Sequence, residues 1–97
     1  MSKNGFVYIV GNDRPTIYIG VTSNLIKRIY QHKHEFISGF TKQYTLHKLL
    51  YYEIFDSINE AIKREKQLKN WHRDWKLNLI KSNNPTMKDL YSELLGS

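Results

Sequence analysis

The stretch that decides the fold is VYIVGNDRPTIYIG, residues 7–20. Two runs rich in β-branched and aromatic residues, 6–10 and 16–21, stand on either side of a group of turn-forming residues, 11–15. Such runs around glycine, asparagine, aspartate and proline are typical of a β-hairpin. The sequence therefore predicts two antiparallel strands joined by a short polar turn.

The register of this hairpin determines which side chains share a face of the sheet. A hairpin that is symmetric about residues 11–15 pairs Val10 with Thr16 and Tyr8 with Tyr18. Because side chains alternate along a strand, both tyrosines fall on one face together with Gly20. The opposite face, which we predict to be the core side, carries Val7, Ile9, Ile17 and Ile19.

The rest of the chain alternates helical and extended patterns, without a repeat, a low-complexity tract or a linker. Helix-capping residues precede two helical segments, in Thr22-Ser23-Asn24 and at Asp56 or Ser57. The predicted helices cover 25–36, 58–70, 72–80 and 87–95, a loop covers 38–48, and a third strand covers 49–55. We therefore predict one α+β domain over residues 1–97, with helices packed on a sheet.

Charge is the most informative feature of the composition. Fifteen Lys and Arg residues against nine Asp and Glu residues give a net charge of +6 and a pI of about 9.6. This balance favours a polyanionic partner, in the first place nucleic acid, and the alternative is a soluble protein that is merely basic. The absence of cysteine excludes disulfides and thiolate metal sites. Because no apolar run approaches the roughly 18 residues of a membrane helix, we expect a cytoplasmic protein.

Glu65 is a carboxylate that the helical pattern directs inward. Ala61, Ile62 and Leu68 lie three or four residues away from it, on the same apolar side of the second predicted helix. An unpaired buried carboxylate is unfavourable, so Glu65 needs a cationic partner or a metal ion. The alternative is an ordinary helical ion pair with Lys69, four residues further on.

Arg28 and His32 are four residues apart on the first predicted helix and therefore share a face. The arginine could bind two phosphate oxygens, and the histidine could accept a proton. The alternatives are a surface arginine, a satisfied buried histidine and, for Tyr8 and Tyr18, ordinary aromatic residues of a sheet. Taken with Glu65, these groups suit phosphodiester cleavage with Mg²⁺, which proteins usually hold through one or two carboxylates and substrate phosphate.

In addition, the chain resembles the GIY-YIG endonuclease superfamily, in particular its small stand-alone bacterial branch related to the excinuclease nuclease domain. The matching stretches, in the family's order, are FVYIV, IYIGVTSNLIKRIYQH, GFTKQY, LLYYE, AIKREKQLKNWHR and NNPTMKDL. The YIG tripeptide is intact at residues 18–20, whereas GIY is read as Phe6-Val7-Tyr8, without its glycine. The resemblance implies a three-stranded antiparallel sheet flanked by helices, in the order ββαβαα with a short C-terminal helix.

The resemblance also implies a role for each candidate catalytic residue. Glu65 would bind Mg²⁺ (or Mn²⁺), and Arg28 would contact the scissile phosphate. Tyr8 and Tyr18 would position or deprotonate the attacking water, and His32 matches a histidine common in this branch. A tyrosine can act as the base only if its pKa falls from about 10, and Arg28 and the metal act in that direction. A histidine needs no such help.

Further residues are predicted to contact DNA. Gly20 matches the glycine that lets the backbone and the substrate come close. The predicted contacts to the DNA backbone or bases are Lys27, Lys42, Tyr44, Lys69 and Arg73. Trp71 and Trp75 are further candidates for stacking on bases. The alternatives are a solvated surface for the lysines and a place in the core for the tryptophans.

The resulting hypothesis is a divalent-metal-dependent DNA endonuclease that acts in repair or recombination. We expect it to recognise DNA structure rather than sequence, with a partner protein for targeting, because no recognition module is apparent in the sequence. One alternative is a nucleic-acid-binding module on the same fold with little or no cleavage activity. Another is a protein-interaction domain whose positive charge is incidental. The sequence leaves the oligomeric state open.

Overall fold

The computed structural model describes residues 4–36 and 39–96. The strands are β1 Gly5–Gly11, β2 Ile17–Thr22 and β3 Lys48–Phe55, and they form one antiparallel sheet in the order β2-β1-β3. The helices are α1 Leu25–Lys33, α2 Phe40–Gln43, α3 Ile58–Lys69, α4 Arg73–Asn83 and α5 Tyr91–Leu94. The predicted α+β fold, a three-stranded antiparallel sheet flanked by helices, is confirmed. No helix in the described ranges is long and apolar enough to cross a membrane.

Left-handed backbone residues shorten two of the predicted helices. α1 ends before Glu35, whose φ is +58°, and the last helix does not begin at Met87, whose φ is +54°. A residue with this backbone conformation cannot continue a right-handed helix. The predicted loop 38–48 contains the one-turn helix α2, and its first residue lies outside the described ranges.

The hairpin register is shifted by two residues from the predicted one. Tyr8 pairs with Gly20, and Val10 pairs with Tyr18, so the prediction that Tyr8 lies opposite Tyr18 is wrong. Because side chains alternate with a period of two, this shift leaves each side chain on its predicted face. The two tyrosines therefore share a face but lie diagonally across the hairpin.

Asn12 fixes the position of the turn. Its side-chain oxygen accepts the backbone N–H groups of Arg14 at 3.0 Å and Thr16 at 2.7 Å. Its own backbone N–H donates to the Thr16 carbonyl at 3.2 Å. Asparagine often organises a turn in this way, through bonds to the backbone two residues on. As a result Gly11 belongs to β1, where it pairs with Ile17, and not to the turn.

Helices cover both faces of the sheet, so each face contributes to a core. One cluster joins the predicted core face to α3 and α4, and its buried members are Val7, Ile9, Ile19, Leu50, Tyr51, Ala61, Leu68 and Ile80. The other joins the tyrosine face to α1, and its buried members are Tyr8, Val10, Leu25, Ile29, Leu46 and Leu49. The sequence pattern identified only the first of these two cores, and Tyr8, which belongs to the second, is 1% exposed.

Arg64 holds α3 against β3. Its guanidinium donates to both oxygens of the Glu53 carboxylate, at 2.9 Å to Oε1 and 3.0 Å to Oε2. It also lies 5.2 Å from the centre of the Trp71 ring. Tyr51 donates to the same carboxylate, and burial raises the pKa of this phenol. Because a two-pronged ion pair restricts orientation as well as distance, Arg64 limits rotation of α3 and so directs the neighbouring Glu65.

The C-terminal segment is fixed to the sheet by two polar side chains. Asn84 is 2% exposed and donates to the Leu50 carbonyl at 3.1 Å. Asp89 accepts the Leu49 backbone N–H at 3.0 Å and forms an ion pair with Lys33 of α1. Burial would raise the pKa of Asp89, but the hydrogen bonds from Lys33 and from backbone N–H groups outweigh it and lower that pKa.

Candidate active site

Gly20 makes room for the ring of Tyr8, its partner across the hairpin. A Cβ atom on Gly20 would lie 2.4 Å from both Cζ and Oη of Tyr8, which is far inside the contact distance. The glycine of the YIG tripeptide is thus explained by a side chain of the protein itself. Gly20 is buried, and the approach of substrate to it stays a prediction.

Helix α1 brings its polar face to the tyrosines. Asn24 caps the helix by accepting the Lys27 backbone N–H at 3.2 Å, and Leu25 and Ile29 are buried against the tyrosine face of the sheet. Because residues three and four apart lie side by side on a helix, these anchors place Arg28 next to the hairpin. The same packing buries His32, which is 3% exposed.

His32 and Tyr8 form a buried hydrogen-bonded pair. The Tyr8 oxygen lies 2.9 Å from Nε2 of His32, and Nδ1 of His32 has no hydrogen-bond partner among the described residues. Burial, with the charges of Arg28 and His47, lowers the pKa of His32 to about 4. The imidazole is therefore neutral at pH 7 and is a weaker base than an ordinary histidine.

The pKa of Tyr8 moves away from neutrality. Burial raises it to about 12, and the charge of Arg28 opposes this shift without outweighing it. The nearby Glu65 carboxylate and the neighbouring Tyr18 also raise the pKa of Tyr8. Arg28 thus acts in the predicted direction, but burial outweighs it, so the pKa of Tyr8 does not fall below 10 as a role as the base would require.

Tyr18 is the more accessible of the two phenols. It is partly exposed on β2, which is an edge strand of the sheet. The centre of its ring lies 6.3 Å from the centre of the His32 ring and 6.4 Å from that of Phe40. Arg28 is partly buried beside this group, and it forms no ion pair with an acidic side chain among residues 4–36 and 39–96.

Glu65 combines both interpretations that the sequence leaves open. Its side chain is only 15% exposed, as expected for an inward carboxylate, and it forms the ion pair with Lys69, with 3.2 Å between Nζ and Oε2. The Lys69 ammonium also lies 5.6 Å from the centre of the Tyr18 ring. Lys69 therefore connects the carboxylate of α3 to the phenol of β2.

These side chains meet at the β2 edge of the sheet, where α1 and α3 contribute from opposite faces. The structure brings together Tyr8, Tyr18, Arg28, His32, Glu65 and Lys69. No group of three or more His, Cys, Asp or Glu side chains in the described ranges could hold a metal ion. A single hard carboxylate beside phenol oxygens still fits Mg²⁺, which commonly keeps several water ligands and uses substrate phosphates.

The remaining predicted DNA contacts lie outside this cluster. Lys27 and Lys42 are exposed. Arg73 donates to the Pro15 carbonyl and so contacts the hairpin turn. Tyr44 is 40% exposed. These positions are accessible to a ligand, and their contact with DNA stays a prediction.

The two tryptophans differ in accessibility. Trp71 packs against the core cluster of α3 and α4, as the alternative interpretation had it. Trp75 is 55% exposed, and its ring centre lies 6.0 Å from that of Trp71. Only Trp75 therefore presents a large free face to solvent.

Phe40 is a site neighbour that the sequence did not single out. Its ring lies between Tyr18 and Tyr44, with 6.4 Å and 4.7 Å between ring centres, and it is 46% exposed. This residue was predicted to lie in a loop. The stretch GFTKQY, which contains it, instead forms one turn of helix that directs its ring toward the site. The three rings form an aromatic row that begins at the candidate site.

The family described as the GIY-YIG catalytic domain matches residues 4–78. The chain belongs to the GIY-YIG family. All five candidate catalytic residues of this GIY-YIG chain lie within the matched range, whereas Asn84 and Asp89 lie beyond it. The family is one of nucleases, so a nucleic acid is the class of substrate that membership indicates.

Curated relatives of this GIY-YIG protein are similar over most of their length. A UPF0213 protein of Syntrophus aciditrophicus is 40% identical over 84 residues, which cover 86% of this chain and 95% of the relative. One of Staphylococcus saprophyticus is 36% identical over 75 residues, which cover 77% and 92%. The solution NMR structure of a UPF0213 protein of Bacillus halodurans has a TM-score of 0.57 at 24% identity, covering 89% of this chain and 92% of that one. The last likeness shows the fold alone.

Proposed function

We propose that this chain is a divalent-metal-dependent endonuclease that hydrolyses phosphodiester bonds in DNA. The observation that carries the proposal is the meeting of three groups at the β2 edge of the sheet. They are the shielded carboxylate of Glu65, the Arg28 guanidinium, which has no acidic partner in the part of the chain that the structure describes, and the partly exposed phenol of Tyr18. The net charge of +6 further supports a polyanionic substrate.

Glu65 would hold Mg²⁺ (or Mn²⁺) together with water and substrate phosphate, since it is the acidic side chain of this cluster. The chemistry supplied by the bound ion is polarisation of the phosphate and stabilisation of the leaving 3′-oxygen. The low exposure of the carboxylate strengthens its attraction for a cation, because water screens a shielded charge less.

Arg28 and Tyr18 are the protein groups that we assign to the reacting phosphate and the attacking water. The guanidinium neutralises charge that develops on the phosphate oxygens, where one well-placed donor contributes roughly 3–4 kcal/mol. The Tyr18 hydroxyl orients the water. The water oxygen bonds to phosphorus as the bond from phosphorus to the 3′-oxygen breaks, which leaves a 5′-phosphate and a 3′-hydroxyl. The water gives up a proton and the 3′-oxygen gains one.

Tyr8 and His32 are the buried members of the site. Both are at most 3% exposed, and they are bonded to each other, so neither is accessible to an incoming phosphate. We therefore assign them the positioning of Tyr18 and Arg28. The pair fixes the inner surface of the site, and its two shifted pKa values, about 12 and about 4, keep it neutral at pH 7.

A nicking assay tests the proposal. Supercoiled plasmid, branched, nicked and single-stranded DNA, and an RNA of the same sequence, are each incubated with the protein, with Mg²⁺, Mn²⁺ or EDTA. We expect metal-dependent cleavage of DNA that Glu65→Gln reduces by at least about 10²-fold. Glu60→Gln is the matched control, because Glu60 is exposed in the first turn of the same helix. Absence of metal-dependent cleavage on every substrate would refute the proposal.

A binding module without substantial cleavage is the second candidate. One observation favours it: neither Tyr8 nor His32 has a pKa near neutrality in this structure, so neither is prepared to take a proton at pH 7. This candidate predicts binding of DNA that weakens steeply as salt rises and persists in Glu65→Gln, with no nicking by either protein. Binding that is absent or independent of salt would instead favour a protein partner.

The wider setting is part of the same proposal. Action in DNA repair or recombination, in the cytoplasm, suits a nuclease that recognises strand breaks or branches rather than a sequence. We also propose that a partner protein directs it to its site. Comparison of cleavage rates across the substrate panel tests the preference for structure.

A further inference from the structure

Lys69 occupies the position next to Glu65 where the proposed function requires a divalent ion. Its ammonium lies 3.2 Å from Oε2 of Glu65 and 5.6 Å from the centre of the Tyr18 ring. Among residues 4–36 and 39–96, it is the sole ion-pair partner of that carboxylate. The carboxylate that would hold the metal and the partly exposed phenol of Tyr18 thus share one monovalent cation.

The two cations cannot both neutralise the same carboxylate without repelling each other. The Glu65 side chain is 15% exposed and has little surface through which a second cation could approach. A divalent ion a few ångströms from the Lys69 ammonium meets a repulsion that, even in a water-like surrounding, corresponds to about ten-fold in affinity. Relief of this repulsion requires the ammonium to move away.

Lys69 is able to move. It is the last residue of α3, and its side chain is 47% exposed. Its four-carbon aliphatic stem is flexible, and its ammonium is a compact charge that can exchange one partner for another. A nucleic acid bound beside Tyr18 would offer its phosphate as a new partner for the released charge.

Resting on the proposed function, we propose that Lys69 competes with the divalent ion for Glu65 and is transferred to the substrate phosphate when the ion binds. The exchange makes metal and nucleic acid bind cooperatively, because each one stabilises the released position of the lysine. By linkage, the same factor must appear in both affinities. The free protein accordingly binds the metal weakly, and the complex with nucleic acid binds it more tightly.

The test measures Mn²⁺ binding, by electron paramagnetic resonance of the free ion, without nucleic acid. Lys69→Met removes the competing charge and keeps the helix and the packing on Tyr18. We expect it to bind Mn²⁺ at least about ten-fold more tightly than the wild type. Lys63→Met is the matched control. It removes a lysine from the exposed side of the same helix, and we expect a change below about three-fold, because salt screens a distant exposed charge.

Equal Mn²⁺ affinity of the wild type and Lys69→Met would overturn the inference. Lys69→Gln provides an independent polar variant, for which the same tightening is expected, and unchanged thermal unfolding verifies that both variants are folded. A further expectation is that non-cleavable phosphorothioate DNA tightens Mn²⁺ binding more in the wild type than in Lys69→Met. Equal tightening in both would also count against the exchange.

Glu65→Gln separates this inference from the proposed function. If Glu65→Gln binds Mn²⁺ as well as the wild type does, the metal ligand of the proposed function is wrong. If Glu65→Gln loses the ion while Lys69→Met gains no affinity, the proposed ligand stands and only the competition by Lys69 is refuted.

Discussion

The neutral, buried imidazole of His32 makes a quantitative prediction about stability and pH. Its pKa is about 4 in the folded protein, against 6.5 for an exposed histidine. Well above pH 6.5 the ring is neutral in both the folded and the unfolded state, so its titration does not change the free energy of unfolding. Between about pH 6.5 and pH 4, His32 binds a proton in the unfolded chain but stays neutral in the folded protein. The free energy of unfolding therefore falls as the pH falls through this range.

The magnitude follows from the two pKa values. Each unit of difference corresponds to about 1.4 kcal/mol, and titration is incomplete at the upper end of the range. Between pH 7 and pH 5 we expect His32 to lower the free energy of unfolding by about 2 kcal/mol. For a domain of this size that is a substantial part of the total stability.

The assay is urea unfolding followed by circular dichroism at pH 7, 6 and 5, on the wild type and on His32→Gln. Glutamine can still bond to the Tyr8 hydroxyl but does not titrate in this range. We expect the wild type to lose about 2 kcal/mol more than His32→Gln over the interval. His34→Gln, at an exposed position of the same segment, is the control and should keep the wild-type slope. Parallel pH profiles of the wild type and His32→Gln would refute the reasoning.

Three more predictions concern the fold and the site. Gly20→Ala places a methyl group 2.4 Å from the Tyr8 ring, and we expect urea unfolding to show a loss of about 2 kcal/mol. Asp89→Asn breaks the ion pair with Lys33, and we expect a loss of about 1–2 kcal/mol at pH 7. Because the pKa of Asp89 is lowered, this difference should shrink as the pH falls below about 4. Arg28→Gln should lower the nicking rate by about 10²–10³-fold, with DNA binding reduced far less.

Each of these predictions has its own control. Tyr8→Leu in the Gly20→Ala background should recover part of the lost stability, and no recovery would contradict the packing argument. Glu93→Gln removes an exposed carboxylate of the same segment and should change stability by less than about 0.5 kcal/mol. Lys81→Gln, which removes an exposed charge of α4 that is not among the predicted DNA contacts, should retain most of the nicking rate. Equal losses for the two substitutions would show that Arg28 acts only as one charge among many.

The hairpin shows why faces were easier to predict than contacts. Tyr8 and Tyr18 share a face whenever Tyr8 pairs with an even-numbered residue of β2. An error of two residues in the register therefore left the predicted face of Tyr8 correct. The pairing depends on where the turn begins, and that is determined by hydrogen bonds from one side chain, Asn12. Composition marks residues 11–15 as a turn but does not distinguish Gly11 from Asn12 as its first residue.

Burial of the tyrosine face of the sheet could not be predicted from the sequence, for a related reason. Alternation of aliphatic residues identifies one core side, whereas Tyr8 reads equally well as a surface aromatic. Its burial requires α1 to cover it, and the polar residues Arg28 and His32 on that helix argued against a core. The inward direction of Glu65 followed from periodicity, and its ion pair with Lys69 from their four-residue spacing. The position of Lys69 beside Tyr18 depends on the packing of α3 at the β2 edge.

The segment after α4 carries a practical consequence for anyone who trims this protein. Family matching stops at residue 78, yet Leu90, Tyr91 and Leu94 pack on the same apolar cluster that seats α1. A fragment that ends at residue 78 would lack these three side chains, and with them part of the apolar packing around α1, the helix that carries His32. We expect such a fragment to lose the ordered placement of that helix. Affinity tags and fusions should therefore leave this segment in place.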